Sequence, residues 1–291
     1  MIALFCMTAI GAWAQEPDWL QAGDTWDSNT KTLTVNNNPE KHAYDSNTEI
    51  LHVVFAANVT TIGQAAFQYS GLQTIFFEED SQLKTIGDYA FVGSALTAIT
   101  IPASVTTMGR APFRDCRELT TVTFEENSQL ETISEAAFEG CHALSVITMP
   151  ASLTTIEDLA FEQCDALKKM IIPASVTYIG EFAFDNCLNL SVINILAQTP
   201  PTLGTNVFER IAENFRIYVP RESVDAYKTA YPDLADRIKP IMGEQGTGIV
   251  PIDNGQLIID NCWYTLDGRK LSSKPTAKGV YIYNGKIRVI K

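Results

Sequence analysis

The chain holds few of the residues from which most active sites are made. Its 291 residues include three histidines, His42, His52 and His142, and none stands at a His/Cys spacing that binds metal. No glycine-rich phosphate loop and no nucleophile elbow occurs. Basic residues are scarce: 21 lysines and arginines against 34 aspartates and glutamates leave a net charge of −13, which disfavours nucleic acid as a partner. No apolar run reaches the roughly 20 residues that a membrane-spanning helix requires. Four tryptophans offer few rings for stacking on sugars. With 46% hydrophobic and 19% charged residues the chain still has the composition of a folded protein with a substantial core. No catalytic residue, cofactor or metal ligand is expected.

What the chain has in quantity is repetition. A phenylalanine recurs at Phe67, Phe91, Phe113, Phe138, Phe161 and Phe184, each after Ala or Pro and each ahead of a Leu-x-x-apolar run. Six such units run from Val59 to Leu196, at spacings of 24, 22, 25, 23 and 23 residues. The spread sits in the turns. Phe77 to Leu83 and Phe124 to Leu130 span two residues more than the Pro-Ala-Ser turns Ile101 to Val105, Met149 to Leu153 and Ile172 to Val176. The first two units place Leu72 and Leu96 five residues after the phenylalanine, and the later four place it six after, which reads as an added step containing cysteine. Length variation confined to turns is what stacked coils require.

Within a unit, Ile99 and Ile101 flank Thr100 in the period-two pattern of a strand buried on one side. The matching inward pairs are Ile75/Phe77, Val122/Phe124, Ile147/Met149, Met170/Ile172 and Ile193/Ile195. A second short extended piece, such as Val105 to Met108, precedes a single helical turn holding the Ala-Phe pair. Cys116, Cys141, Cys164 and Cys187 share one slot, three residues after the repeat phenylalanine, and so form a ladder beside the phenylalanines. Stacking brings neighbouring Cα atoms to about 5 Å, but equivalent side chains then point in parallel. Buried free thiols are favoured over disulfides, and zinc is disfavoured because its ligands must converge. His142 occupies a position held elsewhere by Arg117, Asp165 and Leu188, which marks a surface residue rather than half of a Cys141–His142 pair. Glu78-Glu79-Asp80 and Glu125-Glu126 lack the alternating ligands and glycine of a calcium loop and read as solvated turns.

The candidate site is therefore a face. Outward strand positions read Phe76, Thr100, Thr123, Thr148, Ile171 and Asn194, beside Gln73, Thr97, Thr120, Ser145, Lys168 and Ser191. Rows of threonine serve strand formation equally well, whereas Phe76, Lys168, Lys169, Ile171 and Tyr178 break the monotony with residue types favoured as binding anchors. The expected interaction face comprises Phe76, Thr100, Thr123, Thr148, Lys168, Lys169, Ile171 and Tyr178.

The repeated string Ser-Val-Thr-x-Ile-Gly-x-x-Ala-Phe-x-x-Cys-x-x-Leu-x-x-Ile-x-Ile-Pro, seen closely in Ala160 to Val176 and Gly180 to Leu190, resembles the BspA-type (Treponema pallidum-type) leucine-rich repeat of bacterial surface proteins, common in Bacteroidota. Trp26 to Val35 resembles the hairpin cap that precedes such arrays, and Ile217 to Tyr227 the unit that closes them. The resemblance implies a mainly β leucine-rich-repeat solenoid, with a strand and a short helical turn per coil, capped at both ends. It further implies a non-enzymatic secreted or surface protein whose partner is macromolecular, a host matrix protein or a bacterial surface component, with a monomer favoured. A passive envelope spacer and a glycan-binding accessory module are the alternatives.

The flanks complete the expected organisation: a signal peptide over 1–14 with cleavage near Ala14, an N-terminal β cap over 15–58, six repeats over 59–196, a capping unit over 197–242, a linker over 243–248 and a small β tail over 249–291. In the tail, Asp267-Gly268 and Asn284-Gly285 supply turn dipeptides between apolar residues. It resembles the type IX secretion sorting segments that end exported Bacteroidota proteins. Residues 262–291 carry seven lysines and arginines and one aspartate, a net of +6; the other 261 residues carry 14 basic and 33 acidic residues, a net of −19.

Overall fold

The structure, a computed structural model, describes residues 16–241 and, beyond them, the strands Trp263–Thr265, Lys270–Leu271, Gly279–Tyr283 and Lys286–Ile290. The expected signal peptide at 1–14 and linker at 243–248 lie outside the described residues. Residues 16–241 form a mainly β solenoid of about 9 turns. Each turn has three sides, and the reason lies in three local sequence patterns.

The first side comes from the four-residue alternation. Its inward members, among them Val53, Ile99, Val122, Met170 and Ile193, are buried, while the intervening residues face out. Thr25–Asp27 and Thr32–Val35 pair antiparallel, with Trp26 opposite Leu33. From there the strands run parallel: His52–Phe55, Thr74–Phe77, Ala98–Ile101, Thr121–Phe124 and Val146–Ile147. Lys169–Ile172, Val192–Ile195, Arg216–Val219 and Ile238–Pro240 continue the side as a second parallel sheet. Partners occupy the same slot of successive repeats throughout, so Phe55 lies beside Phe77 and Ile172 beside Ile195. The shared register is what stacks like on like.

The second side is a ladder of two-residue strands. Thr61–Ile62, Thr85–Ile86 and Thr107–Met108 form one parallel sheet, and Thr132–Ile133, Thr155–Ile156, Tyr178–Ile179 and Thr202–Leu203 form another. In each strand before the last, the second residue is buried and the first looks outward.

The third side corrects one expectation. The Ala-Phe segment does not form a helical turn; it is a chain of tight turns. Alternate N–H groups close turns three residues back, as Ala66 does to Gly63 and Gln68 to Ala65. The others donate to the next coil: Ala65 to Asp88 (2.8 Å), Phe67 to Ala90 (2.8 Å) and Tyr69 to Val92 (2.6 Å). The same three bonds recur from Leu159, Phe161 and Gln163 to Glu181, Ala183 and Asp185. A helix would consume those donors within its own coil and leave the carbonyls of the neighbour unpaired. The alternation requires left-handed backbone at two residues per coil, for example Leu159 and Gln163, both at φ 60°. No β-branched residue occupies these positions, consistent with their cost in that region.

One continuous core joins the three sides. Its axis is a column of rings running Tyr44, Phe67, Phe91, Phe113, Phe138, Phe161, Phe184 and Phe208, with centroids 5.2–5.7 Å apart in near-parallel planes. The column extends past the six repeats in both directions. At one end Trp19 packs edge-on to Trp26 and Tyr44, and the Tyr44 hydroxyl donates to buried Asp24. At the other, a helix at Val224–Ala230 lays Tyr227 over the last coil, its hydroxyl 2.8 Å from the Ala197 carbonyl. The strand edge there ends in Pro240, which lacks the N–H needed to extend a ladder. In the C-terminal segment the four short strands form an antiparallel sheet of order Lys270–Leu271, Trp263–Thr265, Gly279–Tyr283, Lys286–Ile290.

Candidate interaction face

The groups that could carry chemistry are occupied structurally. Among the described residues, the thiols of the four ladder cysteines are buried and free, and each donates to the phenylalanine carbonyl of the preceding coil: Cys116 to Phe91 (3.1 Å), Cys141 to Phe113 (3.1 Å), Cys164 to Phe138 (3.3 Å) and Cys187 to Phe161 (3.1 Å). Burial in apolar surroundings pushes the Cys116 and Cys187 thiols up to about 12 and holds Cys141 and Cys164 well above the usual range. They stay protonated and unreactive.

The slot itself is not confined to cysteine. Ser70 and Ser94 occupy it in the first two repeats, both buried; Ser70 Oγ donates to the Phe67 carbonyl at 2.8 Å, and Ser94 Oγ lies 3.4 Å from Cys116 Sγ. The residue by which the later repeats are longer therefore follows the cysteine, on an outer corner where Arg117, His142, Asp165 and Leu188 stand. Small size with one donor hydrogen is the common property of both residue types, and spacing from leucine concealed it.

His142 points away from Cys141 and contacts Asp165 Oδ2 of the next coil through Nδ1 at 2.8 Å. The acidic turns also have backbone partners: Glu78 accepts from the Ala57 N–H at 3.0 Å and Glu125 from the Ala103 N–H at 2.8 Å. Among the described residues no group of three or more His, Cys, Asp and Glu is placed to hold a metal ion, and no helix is long and apolar enough to cross a membrane.

The outward side of the four-residue strands is a flat surface of three adjacent rows. Register places Val54, Phe76, Thr100, Thr123 and Thr148 along one row, with Ile171, Asn194, Tyr218 and Lys239 in the same slot further on. A second holds His52, Thr74, Ala98, Thr121 and Val146, then Lys169, Val192 and Arg216. A third holds Gln73, Thr97, Thr120, Ser145, Lys168 and Ser191, whose backbones link coil to coil. Most threonine and serine hydroxyls on these rows are used internally. Thr100 Oγ1 lies 2.8 Å from Thr123 Oγ1, Thr120 donates to the Thr97 carbonyl at 3.0 Å, and His52 Nδ1 lies 2.7 Å from Thr74 Oγ1.

Of the eight residues proposed from sequence, seven share this surface. Tyr178 does not: it stands on the second side, in a row otherwise formed by Thr61, Thr85, Thr107, Thr132, Thr155 and Thr202. Phe76 projects from the strand face with 58% of its surface exposed. Sequence reading overlooked Tyr218, Arg216 and Lys239, which continue the same rows beyond the repeats it delimited. The signal was present, since Arg216-Ile-Tyr-Val219 repeats the alternation of Val192-Ile-Asn-Ile195.

Parallel coils with an apolar column, a constant register and a single-turn period of 22–25 residues define a solenoid of the leucine-rich-repeat class. The profile of the BspA type leucine rich repeat region matches in six copies over residues 37–145 and 84–216, and the chain belongs to this family. It is similar in fold to a leucine-rich repeat protein from Bacteroides ovatus at 21% identity and a TM-score of 0.47, covering 75% of this chain and 74% of that one. The T. pallidum leucine rich repeat protein is 20% identical at a TM-score of 0.42, covering 67% and 77%. A leucine rich cell surface protein from Faecalibacterium prausnitzii is 22% identical at a TM-score of 0.31, covering 64% and 65%. No curated protein matches the chain.

Proposed function

We propose that this chain is a non-enzymatic surface-displayed or secreted protein that binds another protein through its strand face, in the service of adhesion to host matrix or to other cells. The observation that carries the reading is Phe76, an aromatic ring 58% exposed on a surface whose neighbouring hydroxyls are already paired. A ring so placed contributes nothing to the core, while burial in a partner's pocket would remove its surface from water. Family membership supports the class of function, since solenoids bind macromolecules through extended faces. Export is in keeping with the Faecalibacterium neighbour, a cell surface protein. We read residues 1–14 as the leader, 15–58 and 197–242 as caps around the six repeats of 59–196, and 249–291 as an anchoring or sorting tail.

The test is binding of the purified chain to a panel of matrix proteins, mucins and glycans, with Phe76→Ser and a Thr100, Thr123, Thr148→Glu variant beside it. Saturable binding to a protein that both variants lose, at unchanged thermal stability, is the expected result. Binding by no member of the panel supports the passive spacer, and binding of a glycan alone supports the accessory module.

A further inference from the structure

Between its two ends the strand face is free of acid in a body that is rich in it. From Thr32 to the coil of Arg216 the three outward rows contain no aspartate or glutamate, although residues 1–261 carry 33 acidic side chains against 14 basic ones. In register with the rows, carboxylates stand at the two ends: Asp27 on the edge hairpin opposite Thr32, and exposed Asp236 three residues before Lys239. Just past the strands, Glu78 and Glu125 border the face in the early coils and cap backbone N–H groups. In the late coils the equivalent position holds Pro173, Leu196 and Pro220.

Cations gather on the late coils of this face. Lys168 and Lys239 are exposed and Arg216 is half-buried. Arg216 lies two strands from Lys169, about 10 Å at the ordinary strand spacing, and Lys239 is directly opposite Tyr218. Among the described residues no carboxylate pairs with Lys168, Arg216 or Lys239; the Arg216 guanidinium donates only to the Phe215 carbonyl, at 2.7 Å. Elsewhere arginines do find acids, as Arg114 finds Glu139 and Arg110 finds Glu135. A cationic patch on a body as acidic as residues 1–261 draws an anionic partner to one part of that body and away from the rest of it.

We propose that the strand face docks a protein with an acidic surface, its carboxylates meeting Lys168, Arg216 and Lys239 while an apolar pocket of the same partner takes Phe76. The inference deepens the binding role proposed above and rests on it. Phe76 stands four coils from Ile171, about 20 Å, a separation that one protein surface spans. A protein is favoured over an acidic polysaccharide because a polysaccharide offers no pocket to bury a benzyl ring, and because the paired hydroxyls of the rows leave few groups to match sugar hydroxyls.

The test uses the full chain with three probes: a fluorescein-labelled oligoglutamate peptide, heparin and an oligolysine peptide. Oligoglutamate is expected to bind, more weakly as salt rises. A Lys168→Glu, Arg216→Glu variant is expected to lose about tenfold or more in affinity with its circular dichroism melt unchanged, and Lys168→Gln, Arg216→Gln about half that effect on a logarithmic scale. Equal binding by wild type and charge-reversed chain overturns the proposal, since the basic residues of 262–291 would then hold the peptide. Binding of heparin without the peptide, or of neither, overturns it as well. The two readings separate on the protein panel: a partner lost with Phe76→Ser but kept by the charge-reversed chain ends this inference alone, and a partner kept by both variants ends the strand-face reading too.

Discussion

Phe138 and Phe76 are the same amino acid in the same array of coils, and they do opposite things. Phe138 lies on the turn side, fully buried, with the rings of Phe113 and Phe161 at 5.5 and 5.4 Å. Phe76 lies on the strand side with more than half its surface in water. The inner column of the turn side keeps a ring in every coil from Tyr44 to Phe208 because each ring is fitted to the coil above and below, where a change propagates through close packing. On the strand face the outward residues meet solvent, so the repeat tolerates departures there. Regularity marks what the solenoid needs, and departure from regularity on an exposed side marks what it has to spare for a partner.

Truncating both rings puts this contrast under the greatest strain. Phe138→Ala removes a ring from the middle of the column and is expected to cost about 3–5 kcal/mol in urea unfolding. Phe76→Ser is expected to move stability by less than about 0.5 kcal/mol. Comparable losses from the two would place Phe76 in the core and remove the reason for calling the strand face a binding surface.

Cys164→Ala tests the ladder next to that column. It deletes the thiol that meets the Phe138 carbonyl at 3.3 Å and leaves a small void, for an expected loss of about 1–2 kcal/mol. Cys164→Ser, which copies the residue type of Ser70 and Ser94, is expected to retain more of the stability. In the folded chain the four thiols of the ladder are expected to resist a thiol reagent until denaturant is added, measured by mass spectrometry; rapid labelling under native conditions would contradict their burial and raised pKa.

The smallest effect concerns charge on the turn side. Burial, and then the neighbouring Asp185 carboxylate, raise the Glu162 pKa above its ordinary value. A carboxyl that binds its proton more tightly when folded stabilises the fold at low pH, and this contribution is lost as pH rises through the unfolded value toward the folded one. Glu162→Gln is therefore expected to melt slightly higher than wild type at pH 7, with the gap closing below about pH 4. A lower melting temperature at pH 7 would show that attraction to Arg210 outweighs burial at this position.

Much of this architecture was legible in the chain. Ile99 and Ile101 flanking Thr100 announce a strand, and the recurrence of Phe67 through Phe184 announces stacking, because both are short-range patterns repeated in one order. The candidate face was legible in part. Phe76, Thr100 and Lys168 could be placed by counting along a strand, but Tyr178 looked equivalent until the coil closed and carried it round a corner to the second side. Spacing measured to leucine hid Ser70 and Ser94 as members of the cysteine slot. Composition showed an acidic body, yet it could not show that the acids avoid one side.

The period, the inward residues and the class of fold were dictated by residue order alone, since each depends on neighbours along the chain and on which of them prefer to leave water. The closing of coil upon coil settled the rest. The backbone at Leu159 and Gln163 is left-handed, and not helical, because the N–H groups of that turn bond to Glu181 and Asp185 one coil away. Lys168, Arg216 and Lys239 form one patch only because parallel register sets residues more than twenty positions apart side by side. Bonds and fields of that kind act across space between coils, and no local stretch of chain contains them.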